Sequence, residues 1–219
     1  MFHHPVRIPL DDAILEGDLA VPDHAQAIIL FAHGSGSSRK SPRNRFVARS
    51  LRDAGLGTLL IDLLTSEEEA IDDRTREYRF NISLLTERLT GAVDWLLAND
   101  ETKGLQIGLF GASTGTPAAI FTAVKRPNAI YSIVSRGGRP DLATAVLHRV
   151  NAPTLLIVGG DDYSIIDLNT EAAKWIRAPK KIEIVPGSTH LFEEPGALED
   201  VARLARKWFT HHLAAVPQA

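Results

Sequence analysis

Apolar and polar positions along the chain form two recurring patterns, short continuous apolar runs and longer segments with a helical period. Short continuous runs are typical of strands that a parallel sheet buries on both faces. These runs predict strands over 25–32, 57–63, 105–110, 129–135, 154–158 and 181–185. Apolar residues spaced three and four apart predict helices over 42–54, 81–99, 116–125 and 168–177, a short helix from about residue 142, and a last helical face over 198–208.

Strands and helices therefore alternate along nearly the whole chain, which predicts an α/β fold with a mostly parallel twisted sheet and helices on both faces. Residues 6–10 and 13–21 predict an antiparallel hairpin at the edge of the sheet. Residues 65–79 are acidic and then basic without an apolar period, so we expect a short helical or irregular segment over the strand ends, which would act as a small lid or be only a surface loop. The length of 219 residues suits one α/β domain, and we expect a single domain over 1–219.

Composition narrows the class of protein. The hydrophobic fraction of 44% and the charged fraction of 23% are ordinary for a globular chain. The net charge of −3 argues against nucleic acid or an anionic membrane as a partner. The absence of cysteine excludes disulfides, thiolate metal sites and a cysteine nucleophile. Residues 1–12 have no apolar signal core, and no run approaches the ~20 apolar residues of a membrane span, so we expect a cytoplasmic protein.

The segment 111–115, G-A-S-T-G, stands between a predicted strand and a predicted helix. This is the G-x-S-x-G pattern in the strand–turn–helix context that it requires, with Ser113 on a sharp turn. Ser113 also lies at a helix N-terminus, which favours developing negative charge. The pentapeptide also fits a plain strand-to-helix turn, so a catalytic interpretation requires a base, an acid and an oxyanion site elsewhere.

Candidates for the base and the acid follow later strands, at the sheet edge where ligands bind in open α/β sheets. His190 follows the last predicted strand in G-S-T-H and is the predicted base. Asp162, in the G-G-D-D loop after the preceding strand, is the predicted acid, with Asp161 as the alternative. One aspartate of this pair is expected only to end the strand and cap a turn. The order Ser113, Asp162, His190 is the one that a G-x-S-x-G serine on such a sheet requires.

An oxyanion site needs two N–H donors aimed at the developing charge. We expect one from Thr114, directly after Ser113, and one from Ser35 in the H-G-S-G loop, with Gly36 as the alternative. Gly34 and Gly36 would let this backbone approach a substrate closely. The competing interpretation of the loop is a Gly/Ser turn that caps the following helix.

Two arginines in S-R-G-G-R-P-D, Arg136 and Arg139, follow another predicted strand. A guanidinium fork there would suit a substrate carboxylate. A salt bridge to Asp141 or a turn hydrogen bond explains them equally well. Both arginines are therefore candidate substrate-binding residues with a structural alternative.

The motifs H-G-S-G-S-S, G-A-S-T-G, G-G-D-D and G-S-T-H, in this order, resemble the α/β-hydrolase superfamily and within it the dienelactone-hydrolase-like group. The resemblance covers roughly residues 25–213 and implies an α/β-hydrolase fold without a large cap domain. It implies Ser113 as nucleophile, Asp162 as acid, His190 as base, and hydrolysis of an ester or lactone. Dienelactone hydrolases proper use a cysteine nucleophile, so the serine here favours a general carboxylesterase over an enzyme for dienelactone itself.

The sequence thus predicts a serine hydrolase that cleaves a small-molecule carboxylic ester or lactone through an acyl-serine intermediate. An acyltransferase or perhydrolase would use the same acyl-enzyme, resolved by an alcohol or a peroxide. A non-catalytic binding protein on the same fold would be expected to lack a member of the constellation, and none is missing. We predict no metal and no other cofactor, no nucleic-acid or membrane partner, and a monomer or homodimer.

Overall fold

The computed structural model describes residues 2–213, which build one eight-stranded sheet. The strands are β1 (Phe2–Pro9), β2 (Ile14–Val21), β3 (Ala27–Ala32), β4 (Gly57–Ile61), β5 (Gln106–Ala112), β6 (Ile130–Arg136), β7 (Thr154–Gly159) and β8 (Lys180–Val185). Their spatial order is β1-β2-β4-β3-β5-β6-β7-β8. The β1–β2 and β2–β4 pairs are antiparallel and the remaining pairs are parallel. The predicted α/β fold with an antiparallel hairpin at its edge is confirmed.

Within residues 2–213, six α-helices and one 3₁₀ segment pack around the sheet. They are α1 (Pro42–Asp53), α2 (Ser66–Thr75), α3 (Ile82–Ala98), α4 (Gly115–Lys125), the 3₁₀ segment (Pro140–Arg149), α5 (Tyr163–Trp175) and α6 (Ala197–His212). Helix α5 begins five residues before the predicted start at 168, because buried Ile165 extends its packed face. No helix within residues 2–213 is long and apolar enough to cross a membrane.

The core lies on both faces of the sheet, which explains the continuous apolar runs. Every residue of β3, β4 and β7 is buried. Within β3, Leu30 packs towards α3 and α4, while Ile29 and Phe31 pack towards α1 and α6. Alternate side chains of one strand therefore enter two separate apolar layers, and both layers require an apolar residue.

Helix α2 is attached to the fold mainly through polar groups, and its only buried residue is Asp72. Thr65 and Glu68 form a capping box at its N-terminus. Arg88 of α3, which is buried, donates hydrogen bonds to Glu68 and to Asp12 of the β1–β2 turn, at 2.8 and 2.9 Å. The Asp72 carboxylate accepts hydrogen bonds from the segment that leaves the helix, including the Arg79 guanidinium. Residues 65–79 thus contain a helix, α2, that polar contacts hold beside the strand ends.

His33 anchors the loop that follows β3. The backbone N–H of Leu63 donates to His33 Nε2 at 3.0 Å, and His33 Nδ1 lies 2.9 Å from the Gly34 carbonyl oxygen. Because Nε2 accepts, the proton resides on Nδ1, which donates to that carbonyl. Burial lowers the pKa of His33 and keeps the imidazole neutral. The histidine therefore acts as a neutral crosslink between this loop and the end of β4.

Core packing can be tested with two isoleucines on strands. Ile29 is 0% exposed in the central strand β3, and Ile184 is 41% exposed in the edge strand β8. We expect Ile29→Ala to lower the free energy of unfolding by about 2–5 kcal/mol, since it leaves a cavity between sheet and helices. The matched Ile184→Ala should change it by about 0.5 kcal/mol or less. Urea denaturation of both variants measures the difference, and equal losses would contradict the two-layer core.

The neutral state of His33 predicts a pH-dependent contribution to stability. Unfolded histidine takes up a proton near pH ~6.5, whereas folded His33 has a lowered pKa. The unfolded state therefore binds more protons below that pH, and stability falls as the pH drops from ~6.5 towards the folded pKa. His33→Gln keeps an acceptor for the Leu63 N–H without a titrating group. Between pH 7 and pH 5, we expect the urea midpoint of His33→Gln to fall less than that of the wild type. His148→Gln, which replaces an exposed histidine, is the control, and its urea midpoint should fall as much as that of the wild type.

Candidate active site

The turn after β5 holds Ser113 in a left-handed backbone conformation with φ of 48°, unfavourable for a residue with a side chain. Its backbone N–H donates to the Arg136 carbonyl oxygen at 3.2 Å. Its carbonyl oxygen accepts hydrogen bonds from the N–H groups of Thr116 and Arg139, at 3.1 and 3.3 Å. The end of β6, its following loop and the first turn of α4 thus keep the conformation that presents the serine hydroxyl.

Glycines on either side of this turn permit close packing. A Cβ atom on Gly111 would lie 2.7 Å from the Thr116 Cα atom. A Cβ atom on Gly115 would overlap the carbonyl oxygen of Ala32 at the end of β3. The backbone of α4 therefore sits directly against the neighbouring strand, as the G-x-S-x-G pattern predicts.

Three side chains from the ends of three strands meet at this turn. His190 Nε2 lies 3.4 Å from Ser113 Oγ, and His190 Nδ1 lies 2.7 Å from Asp162 Oδ2. The Asp162 side chain is 13% exposed and that of His190 is 37% exposed, so the acid is sheltered and the imidazole reaches solvent. Such a chain of groups can remove a proton from the serine hydroxyl and hold the resulting imidazolium. The 3.4 Å separation is within what unliganded sites show, since these bonds tighten when substrate binds.

The two neighbouring aspartates have different surroundings. The Asp162 carboxylate contacts the imidazole of His190. Asp161 is exposed, and its backbone N–H donates to the Ser188 carbonyl oxygen at 2.9 Å. The geometry thus favours Asp162 as the group that orients the histidine and leaves Asp161 in the turn.

The loop after β3 contacts the residue that follows the serine. Ser35 N–H, one of the two predicted oxyanion donors, donates to Thr114 Oγ1 at 2.9 Å. The Gly34 carbonyl oxygen accepts from Ser37 N–H at 3.2 Å, which folds the loop into a tight turn. A Cβ atom on Gly34 would lie 3.0 Å from Ser113 Cβ, so this backbone runs beside the nucleophile candidate. The loop residues and Thr114 therefore form one wall next to Ser113.

This wall belongs to a cleft that encloses about 450 Å³, part of it open to solvent. The lining includes Gly34, Ser35, Gly36 and Thr114 together with residues of α2 and of the segment after it, and the cleft lies beside the Ser113–His190 pair, which is not part of the lining. The charged lining residues are Asp62, Glu69, Asp72, Asp73 and Arg79. Helix α2 thus forms a wall of the cleft, with more acidic than basic groups facing it.

The arginines of the S-R-G-G-R loop lie outside the set that lines this cleft. Arg139 forms a bidentate pair with Asp141, with nitrogen–oxygen distances of 2.9 and 2.8 Å. Arg136 is 8% exposed, and its Nε and Nη1 atoms have no hydrogen-bond partner within the part of the chain that is described. Burial, together with nearby Arg43, lowers the pKa of Arg136 to about 10. The salt bridge that sequence analysis gave as an alternative is present, and a role in binding substrate carboxylate stays a prediction.

One supporting residue had no signal in the sequence. Asn169 of α5 is 0% exposed, and its Nδ2 donates to the carbonyl oxygens of Gly138 and Ile165, at 2.9 and 2.8 Å. It fixes the loop whose Arg139 N–H bonds to the Ser113 carbonyl. The structure reveals this positioning role of Asn169 because its amide is buried on a helix face that is otherwise apolar.

No group of three or more metal-ligating side chains within residues 2–213 is arranged to hold a metal ion.

Proteins of known structure resemble this chain over nearly its whole length. A dienelactone hydrolase of known structure from Anabaena variabilis is 54% identical, and the match covers 97% of this chain and 99% of that one with a TM-score of 0.96. Est1E from Butyrivibrio proteoclasticus has a TM-score of 0.80 at 14% identity, over 95% of this chain and 98% of that one, which shows a shared fold.

Two Mycobacterium tuberculosis proteins, provisionally named phosphoribosyl transferases, are 52% identical over 208 residues. The match covers 95% of this chain and 46% of each relative, so the chain spans about half the length of these curated relatives. The sequence profile of the Dienelactone hydrolase family matches residues 15–213. The chain belongs to the dienelactone hydrolase family, within the α/β-hydrolase fold.

Proposed function

We propose that the protein is a serine hydrolase that cleaves a carboxylic ester or lactone of a small molecule. The observation that carries this proposal is the hydrogen-bonded series Ser113 Oγ, His190 Nε2, His190 Nδ1 and Asp162 Oδ2, on a strained turn at the end of β5. Family membership supports hydrolase activity. A serine at the nucleophile position and the absence of cysteine favour general ester hydrolysis.

The reaction follows from the positions of these groups. Ser113 Oγ attacks the substrate carbonyl while His190 Nε2 takes the hydroxyl proton. Asp162 accepts a hydrogen bond from His190 Nδ1, which fixes the imidazole tautomer and stabilises its cationic form. The imidazolium then protonates the departing alcohol, and an acyl-serine ester remains. Water deprotonated by His190 attacks this ester, releases the acid and restores Ser113.

The negative oxygen of each tetrahedral intermediate needs donors on the side of the turn that faces the loop after β3. The N–H of Thr114 stands at the start of α4, where backbone N–H groups and the helix dipole favour an anion. The Ser35 backbone lies on the same wall, with its N–H hydrogen-bonded to the Thr114 side chain. The carbonyl oxygen of the substrate would therefore enter beside this wall, against the first turn of α4.

Phosphoribosyl transfer, the name given to the longer relatives, fits this arrangement less well. Displacement of pyrophosphate from an activated ribose uses no acyl-serine, and therefore no serine activated by a histidine. A hydrolytic role accounts for the strained serine, the sheltered acid and the oriented imidazole together.

Labelling tests the nucleophile directly. We expect an alkyl fluorophosphonate to modify Ser113, as read by mass spectrometry of the digested protein, because only an activated serine attacks it readily. Ser113→Ala should abolish labelling and lower kcat/KM for p-nitrophenyl acetate by about 10⁴-fold or more. Ser83→Ala, an exposed serine on α3, is the matched control and should behave as wild type. A folded wild-type protein that stays unlabelled would overturn the proposal.

The adjacent aspartates allow an internal comparison for the acid. We expect Asp162→Asn to lower kcat by about 10⁴-fold, since an amide favours the wrong histidine tautomer. Asp161→Asn changes the same functional group one residue away and should leave kcat unchanged. Steady-state kinetics with the same ester measures both. Comparable losses in the two variants, or a loss confined to Asp161→Asn, would show that the acid is misassigned.

A further inference from the structure

The side-chain hydroxyl of Thr114 is buried beside the predicted nucleophile and takes part in one hydrogen bond. The side chain belongs to a residue that is 6% exposed and stands at the N-cap position of α4. It makes no capping hydrogen bond to the helix, although threonine at this position commonly does. Its oxygen instead accepts the N–H of Ser35, 79 residues away in the chain, at 2.9 Å. The hydroxyl therefore connects the nucleophile turn to the loop after β3.

The hydrogen of this hydroxyl remains available. A threonine hydroxyl has one donor hydrogen and two acceptor lone pairs. One lone pair is occupied by Ser35, and no hydrogen bond within the described residues uses Thr114 Oγ1 as the donor. Thr114 and Ser35 both line the cleft next to Ser113. Because Thr114 lines the cleft and no acceptor for its hydroxyl hydrogen is found among the described residues, a substrate atom can serve as that acceptor.

The N–H of Ser35 also strengthens the donor in front of it. A hydroxyl that accepts a hydrogen bond becomes more polarised and donates more strongly, particularly where water is largely excluded. The N–H of Ser35 is thereby turned towards the Thr114 oxygen. The Ser35 N–H would therefore stabilise a negative charge in the cleft only indirectly, by polarising the Thr114 hydroxyl.

We infer that the Thr114 hydroxyl is a direct oxyanion donor, with the Ser35 N–H behind it as a relay. The oxyanion of the tetrahedral intermediate would then accept hydrogen bonds from the Thr114 N–H and from Thr114 Oγ1, two donors on one residue. The intermediate is the one formed by Ser113 attack, so the inference rests on the proposed function. It assigns Thr114 a catalytic side chain and makes Ser35 a positioning residue.

The alternative assignment makes the opposite prediction. If the Ser35 N–H binds the oxyanion directly, the Thr114 hydroxyl competes for that N–H in the free enzyme. Removing the hydroxyl would then liberate a catalytic donor and leave kcat unchanged or raise it. If the hydroxyl itself donates, its removal must lower kcat.

The experiment uses Thr114→Val, which removes the hydroxyl and keeps the branched shape, and Thr114→Ser, which keeps the hydroxyl. We expect kcat for p-nitrophenyl acetate to fall by about 10²–10³-fold in Thr114→Val with little change in KM, as loss of one oxyanion donor would cause. Thr114→Ser should retain most of the activity. Thr122→Val removes another buried threonine hydroxyl from α4 and should leave the kinetics unchanged. A Thr114→Val enzyme with wild-type or higher kcat would overturn the inference.

A second readout separates a donor from a residue that only positions the loop. A trifluoromethyl ketone forms a tetrahedral adduct with an activated serine and carries the oxyanion charge, so its affinity follows transition-state binding. We expect its inhibition constant to rise in Thr114→Val by about the factor by which kcat falls. A rise in KM with no change in that constant would indicate loop displacement and refute the donor role. Wild-type protein that neither binds fluorophosphonate nor cleaves ester would refute the proposed function instead, which keeps the two failures distinct.

Discussion

The left-handed backbone of Ser113 is the constraint on which the rest of the site depends. This conformation is costly for a serine and persists because hydrogen bonds from the end of β6, its following loop and α4 hold the peptide groups on either side. Those partners keep their places only if β5 and β6 stay parallel and in register. The two buried apolar layers keep the sheet rigid, and this rigidity holds the strained backbone of Ser113 in place.

Every other group of the site follows the carboxyl end of another strand of the sheet. Asp162 follows β7, His190 follows β8, and the H-G-S-G loop follows β3. Parallel strands bring their carboxyl ends to one edge, so residues far apart in sequence converge without any long connecting segment. The neutral crosslink through His33 and the amide of Asn169 then fix two of the loops. The sheet topology brings the groups of the site together, and a few buried polar side chains orient the loops that carry them.

The strands and their mostly parallel arrangement were predictable from sequence, because burial on both faces leaves a continuous apolar signal and helices alternate with the strands. The helix over 66–75 left no such signal, since Asp72 is its only buried residue and no apolar stripe forms. Motif order selected Ser113 and His190, and the hydrogen bond from the imidazole distinguishes Asp162 from Asp161. The contact between Ser35 and the Thr114 hydroxyl could not be predicted, because it joins residues 79 positions apart through a rotamer that only tertiary packing determines.

The polar attachment of α2 determines how readily substitutions can alter the lining of the cleft. The helix forms one wall of the cleft, yet it contributes no apolar side chain to the core and is held by a capping box and ion pairs. Substitutions at its exposed cleft-lining residues, Glu69 and Asp73, therefore alter the lining of the cleft at little cost to folding, while buried Asp72 has to stay. The architecture thus places a polar helix of ten residues, which the core does not constrain, beside strand ends that the core holds rigidly.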